Sequence, residues 1–260
     1  MKISITKLKT FKACRRAYEL RYIYNLVPVE KSEALTTGTD YHSKIEQLYK
    51  TGRFDLDNSK ASAMAMAYFK YIYPTVHIVD VEAEFNLPPY KNLGFTGRID
   101  GITDTGELVE HKTTSLGVEE FEYSIQWDEQ SLGYMLATGR RKMIYTVVQK
   151  PTIRQKKTET DEEFFHRMVD WYAEDTYSKI RTFEVVHSDE EIEQFAHELL
   201  QVVDDMNNCS NYYRNTAHCF RYGRKCEYAQ VCLNYDETQQ YINYTRREPY
   251  GNQEDLRSAD

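Results

Sequence analysis

The sequence predicts an α/β fold, with helices and short strands alternating along the chain. Three observations carry that prediction. Segments with apolar residues at helical spacing alternate along the chain with short β-rich runs. Asp104-Thr105-Gly106 supplies turn chemistry between apolar flanks, as a hairpin requires. Met143 to Gln149 is apolar and β-branched, the composition of a buried strand.

From the start of the chain, Leu8, Phe11, Tyr18 and Tyr22 recur at helical spacing and predict a helix from about Thr6 to Tyr24, capped by Ser4 or Thr6. Pro28 ends that segment. A second helix is expected to open at Gly38, with His42 and Glu46 one turn apart on one face. Ala61 to Tyr73 reads as a third helix, stopped by Pro74. Val76 to Leu87 is β-rich and is expected to bring the first strand of the sheet, with Glu84 on it. The hairpin Thr96–Asp100 and Glu107–Lys112 follows. Ser124 to Thr138 returns to helical pattern and ends at Gly139. After the Met143–Gln149 strand, residues 151–160 form a polar, basic loop. Thr160 begins a helix to about Ile180, with Glu163 placed for a capping box. Thr182 to Val186 is an edge strand, and Ser188 with Glu191 starts a helix to about Asn208. One domain over residues 1–235 and a polar tail over 236–260 are expected.

At 260 residues the chain can bury a sizeable core. It has no run apolar enough to span a membrane, and its first residues lack the apolar core of a signal peptide, so an intracellular, cytoplasmic protein is expected. The net charge of −8 does not advertise a nucleic-acid binder. The charge is uneven, however. Lys7, Lys9, Lys12, Arg15, Arg16 and Arg21 make the first helix basic, while acid collects at 161–163, 189–193 and the tail. Screening allows a local basic groove on an acidic protein.

The chemistry gathers at the hairpin. Asp100 lies near the end of its first strand, and Glu110 and Lys112, two apart on the second, share a face. Such a trio beside a turn is most often a solvated surface with a weak ion pair. If the side chains converge, two carboxylates suit Mg²⁺ or Mn²⁺, and the ammonium can orient water and stabilise charge on a phosphate.

The Gly97-Arg98-Ile99-Asp100-Gly101 context, the hairpin and the following Thr113-Thr114 resemble the core of the PD-(D/E)XK nuclease superfamily, more closely its RecB-type branch. Ile99 stands where the proline of the superfamily's name would be. Gly38, His42 and Glu46 match a Gly-x-x-x-His-x-x-x-Glu helix of that branch, and Gln130 with Tyr134 match its Gln-x-x-x-Tyr helix. The resemblance implies a restriction-endonuclease-like core, a central mixed sheet flanked by helices. It implies that His42, Asp100, Glu110 and the His111 main-chain carbonyl hold the metal, that Lys112 is the catalytic lysine, and that Gln130 and Tyr134 face the active site and DNA. Glu46 is either a further ligand or the group that holds the His42 imidazole.

The five cysteines are too sparse for a secreted disulfide framework. Cys219-x6-Cys226-x5-Cys232 lacks one thiolate for a closed four-sulfur site, and the spacing leaves Cys14, Cys209 and His218 as candidates for it. Iron–sulfur members of the RecB-type group, such as CRISPR-associated adaptation exonucleases and the AddB C-terminal nuclease domain, take one cysteine from an early helix and three from the C-terminal region. Cys14, Cys219, Cys226 and Cys232 fit that pattern, with Cys209 a free thiol. The implied cofactor is a [4Fe–4S] cluster joining the N-terminal helix to the C-terminal region (Cys14 plus 209–235), with zinc the second choice. The implied function is a Mg/Mn-dependent DNA exonuclease in repair, recombination or CRISPR adaptation, working with helicase, recombination or CRISPR proteins. A non-catalytic iron–sulfur DNA-binding protein is the alternative. No P-loop occurs, so any ATPase activity must come from a partner.

Overall fold

A computed structural model describes residues 2–30, 32–90, 93–221, 224–233 and 243–247. The chain opens with a short strand, β1 (Lys2–Ile3), and a helix, α1 (Ile5–Ala13), capped by the Ser4 side chain, which accepts from the Lys7 N–H. The expected single helix to Tyr24 is broken at Cys14, whose backbone is extended (φ −160°, ψ 112°). The cause is distant in sequence. Asn215 donates its side-chain amide to the Ala13 carbonyl at 2.8 Å and its main-chain N–H to Cys14 Sγ at 3.4 Å. Beyond the break come α2 (Arg15–Tyr18), a wide helical turn at Glu19–Ile23, and β2 (Leu26–Pro28).

The second long helix, α3 (Glu33–Thr51), starts five residues before Gly38, because Ser32 caps it by accepting from Leu35 N–H. Gly38 is therefore inside the helix. Ser59 caps α4 (Lys60–Tyr71). Two long strands follow, β3 (Ile78–Tyr90) and β4 (Leu93–Thr103), and then β5 (Leu108–Thr114). Gly106, at φ +93°, closes the predicted β4–β5 turn, a conformation that favours glycine. The helix expected over 124–138 is two helices, α5 (Val118–Ile125) and α6 (Glu129–Thr138). They part where Asp128 turns its carboxylate back to cap α6. Next come β6 (Lys142–Gln149), α7 (Asp161–Glu174), α8 (Thr176–Lys179), β7 (Ile180–Val186) and α9 (Asp189–Asn207). Both predicted capping boxes, Thr160/Glu163 and Ser188/Glu191, are formed. The C-terminal region adds β8 (Phe220–Arg221), β9 (Arg224–Lys225), α10 (Ala229–Leu233) and β10 (Tyr244–Arg246).

The main sheet runs β1-β4-β5-β6-β7, with β3 also on β4. It is mixed: β1–β4 and β5–β6 are parallel, and β3–β4, β4–β5 and β6–β7 are antiparallel. The first strand in the sheet is thus β1, ahead of the predicted β-rich segment. One face is covered by α3, α4 and α7, with Tyr41, Leu48, Met64, Tyr68 and Tyr172 packed against Val109 and Val148. On the other, α5 and α6 lie over Leu108, Tyr145 and Val147, backed by α1 and α9. The architecture is the predicted mixed sheet flanked by helices, consistent with a restriction-endonuclease-like core.

Of the expected tail, Tyr244–Arg246 pair antiparallel with Leu26–Pro28. Residues 236–242 and 248–260 lie outside the described residues. No helix among the described residues is long and apolar enough to cross a membrane.

Candidate active site

Strand β4 meets β5 at only two paired positions, Gly101↔Val109 and Ile102↔Leu108. Past them the strands part, and Asp100 fills the place of the next ladder bond, its Oδ2 accepting from the His111 main-chain N–H at 2.8 Å. The same oxygen lies 3.5 Å from His42 Nδ1 on α3. Burial alone would raise the Asp100 carboxyl, but His42 and His111 outweigh it and hold the group well below the usual carboxylate range.

Alternation along β5 sends its residues to two faces. His111 turns toward α3 and α4, where its Nδ1 shares a proton with Thr146 Oγ1 at 2.6 Å and its ring meets Tyr68 edge-on. Burial pushes its imidazole down to about 4. Glu110 and Lys112 turn toward α6, as their spacing predicts. Lys112 Nζ lies 3.0 Å from Glu110 Oε1, and both side chains are buried. Gln130, on the first turn of α6, joins them. Its Oε1 accepts from Lys112 Nζ at 2.8 Å, and its Nε2 donates to Glu110 Oε1 at 2.8 Å and to Tyr134 Oη at 3.0 Å. Tyr134 donates its hydroxyl to the Arg98 carbonyl at 2.7 Å. Six of the predicted site residues therefore form two groups at the strand divergence: His42 with Asp100, and Glu110 with Lys112, Gln130 and Tyr134.

All of these but Lys112 line one side of a cleft of about 920 Å³. Its walls also carry Lys9, Arg21, Arg98, Lys150, Arg221 and Arg224, with Glu82 and Glu227 beside them pairing Arg98 and Arg21. Glu46 pairs with Lys50 at 2.6 Å.

Several contributors escaped the sequence reading. Asp128 accepts from Lys9 Nζ at 2.5 Å and from Tyr145 Oη at 3.2 Å while capping α6. It thereby fixes the helix turn that presents Gln130. A capping residue two before Gln130 was a legible signal. Glu82 was not legible: it takes a left-handed backbone (φ +57°) within β3 and meets Arg98 Nε at 2.5 Å inside the cleft. The carboxylate considered from sequence, Glu84, is exposed.

Two carboxylates and an imidazole at a buried strand divergence are a donor set of the kind that hard divalent cations take. As the side chains stand, Glu110 is turned to Lys112 and Gln130. Among the described residues no three His, Cys, Asp or Glu side chains are gathered closely enough to hold a metal ion. The chemistry of the donors fits: Lys112 and Gln130 meet Glu110 through Oε1, and the buried Oε2 has no hydrogen-bond partner, an oxygen such a cation could take.

The cysteines fall into two places. Cys14, Cys226 and Cys232 border one small core with Ala17, Leu20, Tyr228 and Val231. Cys219 reaches the same corner: its Sγ donates to the Asn215 carbonyl at 3.6 Å, and Asn215 donates to Cys14 Sγ. Burial pushes the Cys226 thiol up to about 11, and nearby Cys232 and Cys14 add to the rise. A cation at this corner would reverse that shift. Cys209 packs with the α1–α9 core instead.

The PD-(D/E)XK nuclease superfamily model matches the sequence over residues 2–77 and 56–233. No curated protein matches it. Among solved structures, a protein from Eubacterium rectale assigned as an exonuclease aligns with a TM-score of 0.50 at 11% identity, covering 82% of this chain and 84% of that one. The alkaline exonuclease of Laribacter hongkongensis aligns at 13% identity over 79% of this chain and 88% of its own, with a TM-score of 0.38.

Proposed function

The chain belongs to the PD-(D/E)XK nuclease superfamily, and from that premise we propose that it is a Mg²⁺- or Mn²⁺-dependent deoxyribonuclease, an exonuclease on single strands or duplex ends. The observation that carries this reading is the buried Glu110–Lys112–Gln130 group beside Asp100, in a cleft lined with cations. The assignment of the Eubacterium rectale relative as an exonuclease is in keeping with it.

In this reading Asp100, Glu110 and His42, with the His111 carbonyl, hold the divalent cation. When bound, the cation supplies charge that polarises the phosphodiester and eases loss of a proton from water. Lys112 acts beside it. Its ammonium, held from two sides by Glu110 and Gln130, orients the attacking water and offsets the negative charge that grows on the phosphate. Gln130 keeps the lysine in register, and Tyr134 ties Gln130 to the β4 backbone at Arg98. The cationic lining draws the phosphate backbone into an otherwise acidic molecule.

Cys14, Cys219, Cys226 and Cys232 would hold a [4Fe–4S] cluster, which supplies a structural tie between α1 and the C-terminal region. Support comes from the shared corner of the four thiols and the apolar packing around three of them. RecB-type ancestry belongs to the same proposal.

Labelled DNA incubated with Mn²⁺ tests the nuclease reading: wild type should shorten it, and Lys112→Ala should not. Equal cleavage by both rejects the assignment. Visible absorption and iron content of anaerobically purified protein test the cluster; a colourless sample carrying zinc at these cysteines would replace it.

A further inference from the structure

The chain leaves the cleft wall at Leu116 and rejoins it at Gln130. Between them, α5 buries Val118 and Ile125 against the sheet, so its inner side is satisfied. Its outer side carries two large rings almost wholly in solvent: Tyr123 is 82% exposed and Trp127 86%. Trp127 N–H donates to the Ser124 carbonyl at 3.2 Å, so helical geometry continues past the end of α5. Trp127 is also close to the cleft, since three residues of even fully extended chain to Gln130 span roughly 10 Å. The next residue, Asp128, is anchored by Lys9 and Tyr145, so the ring stands on a fixed base.

A single exposed aromatic is ordinary. Two such rings four residues apart, the second three residues before a side chain that lines the cleft, are a surface suited to flat partners. Charge narrows the choice. Glu119, Glu120 and Glu122 stand exposed around Tyr123 and repel phosphates, whereas the cleft interior carries Lys9, Arg98 and Lys150. A strand lying across both would keep its backbone on the cations and turn its bases to α5. We propose that Tyr123 and Trp127 form a stacking platform for unpaired bases of single-stranded DNA entering the cleft. This rests on the nuclease reading above and adds a residue-level means of gripping the strand. Every base offers a π face, so the platform takes any sequence.

The chain has two tryptophans, and Trp127 is the exposed one, so its emission reports the contact directly. A short labelled oligothymidylate is titrated into the protein with EDTA present, which prevents cleavage. Wild type should bind with quenched tryptophan emission. Trp127→Phe should bind with similar affinity and lose the quenching, because a ring remains but the reporter is gone. Trp127→Ala and Tyr123→Ala should each bind about tenfold more weakly. Binding by wild type with unchanged emission, or alanine variants within about twofold of wild type, overturns the platform and leaves the nuclease reading intact. A wild-type protein that neither binds the oligonucleotide nor cleaves DNA with Mn²⁺ removes the nuclease reading and the platform with it.

Discussion

Replacing Lys112 by methionine isolates the energetics of the site. Lys112 Nζ and Glu110 Oε1 are 3.0 Å apart, with side-chain exposures of 8% and 2%. At an effective dielectric of about 20 their attraction is roughly 5 kcal/mol, much of it offset by the cost of taking both ions out of water. The substitution forfeits the attraction but leaves the carboxylate buried. Breaking such a pair from one side typically costs about 3–5 kcal/mol. Gln130, which still donates to Glu110, should keep the loss near about 3 kcal/mol. Urea unfolding at neutral pH with EDTA measures it, and adding Glu110→Gln to Lys112→Met should recover stability by removing the stranded charge. Since a protonated carboxyl is cheaper to bury than a carboxylate, the deficit of the single variant should also shrink on acidification. A Lys112→Met protein within about 1 kcal/mol of wild type, or a double variant whose losses simply add, would refute the reasoning.

Two further outcomes follow from the geometry. A Cβ on Gly97 would sit 2.5 Å from Phe85 and 3.3 Å from Tyr134, so Gly97→Ala should cost about 1–3 kcal/mol and lower the melting temperature; an unchanged melting curve would show that Phe85 moves aside freely. Burial holds His111 down to about 4 against an unfolded value of 6.5, so between those pH values the unfolded chain binds a proton that the native state does not. Its contribution is complete above about pH 6.5 and is lost as pH falls toward 4, by at most about 3 kcal/mol. Wild type should therefore lose stability more steeply than His111→Gln over that window, and parallel curves would exclude the effect.

The parts of this fold legible in the sequence are those set by local chemistry. Capping boxes at Thr160 and Ser188, the Gly106 turn and the Glu110/Lys112 alternation depend on residues within a few positions of one another, and all are present. The errors share a different cause. Cys14 breaks its helix because Asn215, from the far end of the chain, takes the hydrogen bonds there. The helix over 124–138 divides because Asp128 is anchored by Lys9 on a separate helix. Glu82 enters the cleft through a left-handed residue inside a strand, which no alternation pattern foretells. At the site, Glu110, Lys112 and Gln130 were named from sequence, but the hydrogen bonds by which Gln130 joins the other two were not. Those bonds reflect buried polar and charged groups satisfying one another.

The order in which the polypeptide is made acquires meaning from the position of Arg221, Arg224 and Glu227 on the cleft wall. Synthesis runs from the amino end, and the sheet with its carboxylates can collapse before these residues leave the ribosome. The flank they contribute arrives last, against a first helix that has been waiting for Asn215 to hold it. A nascent chain thus carries Asp100, Glu110 and Lys112 well before it owns the whole of the wall that faces them.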